Sequence, residues 1–277
     1  MTATDHDPEL ETLELELLLE AVYRRYGYDF RGYAQASLRR RLWRRVDLEG
    51  LRSLSGLQER LLHDPGCLDR LLADLSINVT AMFRDPGFHR ALRSDVLPEL
   101  RTHPFVRVWV AGCATGEEVV SIAIALREEG MLDRTRIYAT DMDDDVLARA
   151  RTGSFALEKV RDYTRNYIAA GGTEAFSAYY TVSGDRAVFD PELLRPVVFA
   201  QHNLATDGSF NEFNVVVCRN VLIYFGRDLQ DRVLRLFDES LPRRGVLALG
   251  RKETLRGTAI EDRYEPIVEA ERIYRRS

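Results

Sequence analysis

The segment FVRVWV-AGCATG-EEVVSIAIALREE, residues 105–129, limits the fold more than any other stretch of the chain. A short β-rich apolar run passes through a loop holding Gly112 and Gly116 into a helical run from Glu117 to Glu129. Strand, tight turn and helix in that order open a parallel crossover. The alternation recurs. A second strand, Arg136–Thr140, ends at Asp141, and Asp144–Ala150 returns to helix. Further strands are expected at Val197–Ala200, Asn214–Cys218 and Val246–Leu249. In the helix after Cys218, Leu229, Val233, Leu236 and Phe237 share one face. The pattern predicts an α/β fold on a mostly parallel, doubly wound sheet.

Two stretches break this pattern. Between Ala178 and Phe189, AYYTV, Ser-Gly-Asp and RAVF read as a hairpin, the mark of a small antiparallel β-subdomain inserted at about 175–196. Tyr264–Val268 and Arg272–Arg275 read as a closing hairpin. No strand pattern precedes Phe105. Arginines recur from Arg24 to Arg60, with Gly27, Gly32, Gly50 and Gly56 dividing the stretch into short helices. Leu38, Leu42 and Val46 fall at i, i+4 and i+8, giving one helix an apolar stripe with arginines on its other faces. The expected division is an all-α domain over 1–100 and an α/β domain over 101–277, the character changing at His103-Pro104.

Composition narrows the function classes. Apolar residues at 45% are enough for a core, and 277 residues hold one large domain or one of ordinary size plus a small one. A formal net charge of −5 lowers the weight of nucleic-acid binding without removing it. No apolar run approaches the roughly 18–20 residues that span a bilayer. The acidic start, MTATDHDPELETLELELL, lacks the order of a secretion signal, so a cytoplasmic protein is expected. Cys67, Cys113 and Cys218 are odd in number and far apart, which speaks for reduced thiols and against a disulfide framework or a metal site.

Three segments carry candidate chemistry. Gly112–Glu118 (GCATGEE) lies between strand and helix, where doubly wound folds bind ligands. It is neither the GxGxxG of dinucleotide enzymes nor a phosphate-binding P-loop. Asp141 closes the next strand, 25 positions past Gly116 (141 − 116), placed to accept hydrogen bonds from ribose hydroxyls. Glu117 and Glu118 would repel a pyrophosphate and suit a cofactor bearing an ammonium group, as S-adenosylmethionine does. An ordinary tight turn with carboxylates on the helix dipole explains the same residues. In Cys218–Phe225 (CRNVLIYF), Val221, Leu222 and Ile223 suit the core, whereas Arg219, Asn220 and Tyr224 sit at the carboxyl edge of the sheet. The segment has none of the prolines of the Asn/Asp-Pro-Pro-aromatic turn common in enzymes that methylate base amines. In INVTAMFRD, Asn78, Thr80 and Arg84 bring three polar side chains close together; taken alone, they read equally as a helix cap and a solvated charge.

Together the strings YGYDFRGYAQASLRRRLWRR, INVTAMFRD, GCATGEE, ATDMD, QHNLATD, CRNVLIYF and SLPRRGVLALGRKE resemble the chemotaxis receptor methyltransferase family, CheR, almost end to end. The resemblance implies a Rossmann-like class I methyltransferase domain with a β-subdomain insertion, preceded by the all-α domain. It also implies S-adenosyl-L-methionine as cofactor, S-adenosyl-L-homocysteine as product, and methyl esterification of glutamates on chemoreceptor helices. By the same likeness Asn78, Thr80, Arg84, Glu117, Asp141, Asn203, Leu204, Arg219 and Asn220 match cofactor-contacting positions, and Arg84 and Tyr224 match positions close to the transferring methyl. The family's Phe-Phe-Arg is Met82-Phe83-Arg84 here, and its Gly-His-Ser-Glu is Gly250-Arg251-Lys252-Glu253. The implied partners are receptor helices and a regulatory or tethering protein at the β-subdomain, the enzyme itself acting as a monomer. A non-catalytic S-adenosylmethionine sensor and a methyltransferase of another signalling protein stay open as alternatives.

Overall fold

The computed structural model describes residues 7–75 and 80–277. The chain divides into two compact units, Met1–Ile77 with Tyr224–Arg232, and Asn78–Ile223 with Val233–Ser277.

Among the described residues the first unit holds four whole helices, α1 Pro8–Tyr26, α2 Gln35–Leu48, α3 Leu54–His63 and α4 Pro65–Leu75. Local chemistry sets their ends. Asp7 caps α1 by accepting from the Glu9 and Leu10 amides, and Gly27 closes the helix at φ +80°, donating to the Tyr23 carbonyl. α2 buries Leu38, Leu42 and Val46, as their spacing requires. The expectation that arginines occupy only its other faces is corrected: Arg41 and Arg45 are buried as well. Arg41 donates to the Leu75 carbonyl at 2.7 Å, and Arg45 donates to Asp74 at 2.7 Å and Glu49 at 3.2 Å. Long arginine stems can join an apolar interior when the guanidinium meets fixed acceptors there. The segment from Tyr224 belongs to this unit. The Ala34 amide donates to the Tyr224 carbonyl at 2.9 Å, and Tyr33 and Phe225 form an isolated antiparallel bridge.

The second unit is built on ten strands. In chain order they are β1 Val106–Ala111, β2 Thr135–Asp141, β3 Ser154–Ala156, β4 Tyr180–Ser183, β5 Arg186–Phe189, β6 Val197–Gln201, β7 Val215–Cys218, β8 Val246–Leu249, β9 Tyr264–Val268 and β10 Ile273–Arg276. Seven of them form one sheet in the order β6-β2-β1-β7-β8-β10-β9. Its first five members are parallel, and β10 runs antiparallel to both neighbours. β1 lies where the order reverses, so ligands are expected at the carboxyl ends of β1 and its neighbours. The predicted strands and the closing hairpin are found within two residues of their expected bounds. β4 and β5 form the predicted hairpin, and the three-residue β3 pairs with β5 to complete a second sheet, β3-β5-β4.

The helices of this unit begin with α5 Pro86–Ala91, which continues through the π turn Leu92–Val96 into α6 Leu97–Leu100. α7 Glu117–Glu128, α8 Asp144–Arg151, α9 Val160–Ala169 and α10 Pro191–Leu194 follow, and α11 Arg227–Ser240, whose residues from Val233 onward belong to this unit, precedes β8. α7 is apolar almost all round, from Val119 to Leu126, because it is buried against the sheet. Trp109 of β1 is fully buried among Phe213, Phe237 and His202, with its indole N–H donating to Thr140 at 2.8 Å. That bond ties β1 to β2 just below the loops that follow them. No helix among the described residues is long and apolar enough to cross a membrane.

Candidate active site

The loop after β1 is forced into shape by close approach. Gly112 has φ +73°, and a Cβ there would lie 2.5 Å from Val221 Cγ2. Gly116 has φ +91°, and its Cβ would lie 3.0 Å from that of Ala150. Between them Ala114 takes φ +46°, a strained value for a side-chain-bearing residue. Asp141 at the end of β2 holds this conformation. Its Oδ2 accepts from the Ala114 amide at 2.9 Å and its Oδ1 from the Asp143 amide at 3.2 Å. Burial raises the Asp141 pKa, and the backbone amides of Ala114, Asp143 and Met142 oppose that shift. A carboxylate has about four lone-pair sites, so these amides leave room for a further donor.

Glu117, the first residue of α7, is buried. Its Oε2 accepts from Thr115 at 2.6 Å and its Oε1 from the Tyr163 hydroxyl at 3.1 Å, with Lys159 Nζ at 4.0 Å. Burial next to Glu117 pushes the Tyr163 phenol far above its ordinary range, which keeps it a donor. Glu118 behaves differently. Its carboxylate is bound to Arg219 at 2.5 Å, so the reading that both acids await a cation is corrected: Glu118 already has one.

Arg219 is the hub of the site. Its side chain is 2% exposed, paired with Glu118 and, at 2.7 Å, with Asp85. It also donates to the Arg84 carbonyl at 3.3 Å and lies 4.1 Å above the Phe88 ring. Both terminal nitrogens of its guanidinium are therefore committed to protein groups, while its buried Nε has no hydrogen-bond partner among the described residues. The segment that it grips is strained: Phe83 has φ +51° and Asp85 φ +54°. Other bonds hold the same backbone. The Phe83 amide donates to Ser121 at 2.9 Å, and Asn166 donates to the Met82 carbonyl at 3.1 Å. Met82 and Phe83 are fully buried, so the change from phenylalanine to methionine at position 82 is a change of core packing.

The other edge residues are also fixed. Asn220 stands at φ +61°, and its amide donates to Glu253 Oε2 at 3.1 Å while the Val221 amide donates to Oε1 at 2.9 Å. The Gly250 amide donates to the same carboxylate. Burial raises the Glu253 pKa, against these backbone bonds. Glu253 thus shapes the turn carrying Asn220. Arg251 in that stretch forms a two-point ion pair with Glu271 at 3.0 and 2.6 Å. The His202 amide donates to the Asp141 carbonyl, bringing Asn203 and Leu204 next to β2; Leu204 is buried and Asn203 Oδ1 accepts from the Ala205 amide at 3.0 Å.

Of the residues singled out in the sequence, Glu117, Asp141, Asn203, Leu204, Arg219 and Asn220 lie at or just beyond the carboxyl ends of β1, β2, β6 and β7. Arg84 is tied to them through Arg219. Thr80 is half-buried, immediately before that segment. Asn78 lies outside the described residues. Tyr224 belongs to the first unit, its ring 5.1 Å from the Arg41 guanidinium. Asp85, Ser121, Tyr163 and Glu253 were not foreseen, since their partners are 33 to 134 positions away and no local pattern reports such pairs. Burial raises the Cys113 and Cys218 thiols well above their ordinary pKa, so neither is a nucleophile.

A seven-stranded sheet of this order, with a glycine loop clamped over a half-buried strand-end aspartate, defines a doubly wound α/β protein with its ligand site at the carboxyl ends of β1 and β2. The family comparisons make the class specific. The CheR methyltransferase SAM-binding domain matches residues 78–270, and the CheR methyltransferase all-alpha domain matches residues 13–76. The chain belongs to the CheR methyltransferase family, and its cofactor is S-adenosylmethionine. It is 51% identical to Cher3 of Pseudomonas putida over 265 residues, covering 96% of this chain and 97% of that one. It is 31% identical to the chemotaxis protein methyltransferase Cher2 of the same organism, covering 82% and 84%. A chemotaxis protein methyltransferase of Listeria innocua is 30% identical, covering 90% and 92%. The site fits the cofactor by its own chemistry: a half-buried carboxylate at the end of β2 suits ribose hydroxyls, and the buried Glu117 suits an ammonium group.

Proposed function

We propose that this chain methylates the side-chain carboxylates of glutamates on the cytoplasmic helices of chemoreceptors, as part of chemotactic adaptation. The observation that carries the reading is the state of the site's ionisable groups. Among the described residues, Glu117, Glu118, Asp141 and Glu253 are each held by hydrogen bonds or an ion pair, and none is poised as a general base. A glutamate substrate asks for none, since at a pKa of about 4.3 it is already an anion at neutral pH. The relatives named as chemotaxis protein methyltransferases support the receptor as substrate.

Bound S-adenosylmethionine supplies a methyl group on a sulfonium. That methyl would pass to a glutamate oxygen that is already an anion, so no residue of the site needs to move a proton. In this reading Asp141 holds the ribose and Glu117 the amino group. Asn78, Thr80, Asn203, Leu204 and Asn220 line the rest of the cofactor pocket, and Arg219 would reach the cofactor through its main chain, its guanidinium being engaged elsewhere. Arg84 and Tyr224 orient the reacting partners. Opposite charges fade in the transition state, so alignment and exclusion of water supply the rate, orientation alone contributing on the order of several kcal/mol. The all-α portion presents the receptor, and the enzyme works as a cytoplasmic monomer.

The test uses methyl-labelled S-adenosylmethionine and a receptor signalling fragment, followed by mild base. Volatile labelled methanol that vanishes with Arg84→Ala supports the glutamate ester. Cofactor binding by calorimetry without any transfer would overturn it in favour of a sensor, and base-stable label would point to nitrogen methylation.

A further inference from the structure

α1 carries two opposite apolar faces, and only one of them is buried among the described residues. Leu15, Leu18, Leu19 and Val22 are buried, and the helix packs on α3 through them. On the other side Leu10, Leu13 and Leu17 are 54%, 51% and 50% exposed. Their spacing is i, i+3, i+7, which at 3.6 residues per turn places them within an arc of about 60°. An isolated exposed leucine is ordinary; a straight seam of three on one helix is a contact surface. The seam has the order a, d, a of a heptad. Glu9 and Glu16 then fall at g and Glu14 at e, the positions that choose partners in helix pairing. Glu9 and Glu16 are exposed.

We infer that the outer face of α1 docks an amphipathic helix of another protein, one whose leucine seam is flanked by lysines or arginines. The charge decides between occupants. From Pro8 to Tyr23 the chain has five glutamates, Glu9, Glu11, Glu14, Glu16 and Glu20, and no lysine or arginine. A second copy of α1, parallel or antiparallel, would set glutamate rows against glutamate rows. A basic helix meets the same rows with opposite charge, and this asymmetry is the usual device for favouring a foreign partner over self-pairing. The surface is independent of the methyl-transfer reading, because it rests only on α1.

The test titrates fluorescein-labelled helical peptides into the full chain and follows anisotropy. The peptides span about three heptads with leucine at a and d, and carry either lysine or glutamate at e and g. The lysine peptide is expected to bind at least tenfold more tightly than the glutamate peptide. Leu13→Asp/Leu17→Asp, at two exposed positions and with its fold checked by circular dichroism, should weaken it at least tenfold. Glu9→Lys/Glu16→Lys should reverse the preference. The inference is overturned if neither peptide binds, or if the leucine variant binds the lysine peptide as wild type does, which would leave charge attraction alone. It also fails if sedimentation shows a dimer of the wild type that Leu13→Asp dissolves, since the occupant would then be a second copy.

Discussion

At the scale of single residues, the site is a set of strained backbone positions each held by one ionisable side chain. Asp141 fixes Ala114, Glu253 fixes Asn220, and Arg219 fixes the Arg84–Asp85 step. Residues at positive φ cost about 1–3 kcal/mol each and persist only where their surroundings compel them. Two expectations follow from the division of labour. Asp141→Ala loses charge-assisted bonds to the ribose and should weaken S-adenosylmethionine binding by roughly 1–3 kcal/mol, read by calorimetry. An unchanged dissociation constant would remove the ribose from Asp141. Asp85→Asn keeps the side-chain shape and the tolerance of a left-handed backbone, yet removes one of the two charges on Arg219. Turnover should fall at least tenfold through misplacement of Arg84, with cofactor affinity within twofold of wild type and stability lower by about 1–2 kcal/mol in urea. If affinity falls as much as turnover, Arg219 shapes the cofactor pocket and not the reacting end.

At the scale of elements, α5 holds the clearest conflict. His89 is buried between Phe83 and Phe88, both ring centroids 5.0 Å away, and neither ring nitrogen has a hydrogen-bond partner among the described residues. Burial, with Arg219 and Arg93 adding to it, holds its pKa well below the ordinary imidazole value. The unfolded chain takes up that proton near pH 6.5, so below this pH the unfolded state binds more protons than the folded one. Stability contributed by neutral His89 is present above about pH 6.5 and is lost as pH falls, at up to about 1.4 kcal/mol per pH unit. His89→Leu should flatten that acid limb and raise stability at neutral pH, since it also removes two unmet polar atoms. Urea midpoints at successive pH values check both, and parallel limbs would mean that the imidazole finds a proton partner.

The same scale shows what the sequence could disclose. A β-branched run such as Val215–Cys218 announces itself because both of its faces are buried. β3 did not, since three residues carry no readable alternation and its pairing lies 30 positions away. The buried arginines of α2 were hidden for a related reason. Arg41 and Arg45 look like surface charge until Leu75 and Asp74 are brought beside them by α4. In the site, the strand-end residues were legible from their places after β1, β2 and β7. The clamp of Asp85 and Glu118 on Arg219 was not, because it joins positions 134 and 101 residues apart.

At the scale of the whole molecule, the formal charge of −5 should repel the acidic receptor helices that the proposed reaction requires. Local charge can override that sum, because at physiological salt a field is felt over only about 8–10 Å. Much of the basic character of the helical unit is consumed internally. Arg24, Arg31, Arg39, Arg45 and Arg70 all pair with carboxylates of the same unit. Arg40, Arg44 and Arg52 are different: they are exposed, and no hydrogen bond or ion pair to a described residue engages them. Arg40 and Arg44 stand one turn apart on α2, a short positive edge suited to steering an acidic helix. The expected signature is kinetic. Raising salt from about 50 to 500 mM should increase the Michaelis constant for the receptor several-fold and leave the turnover number nearly unchanged, since steering acts on encounter. Arg40→Glu/Arg44→Glu should raise that constant about tenfold at low salt and abolish most of its salt dependence. A wild-type constant indifferent to salt would leave these arginines as solvated surface, and the receptor would have to be recognised elsewhere on the molecule.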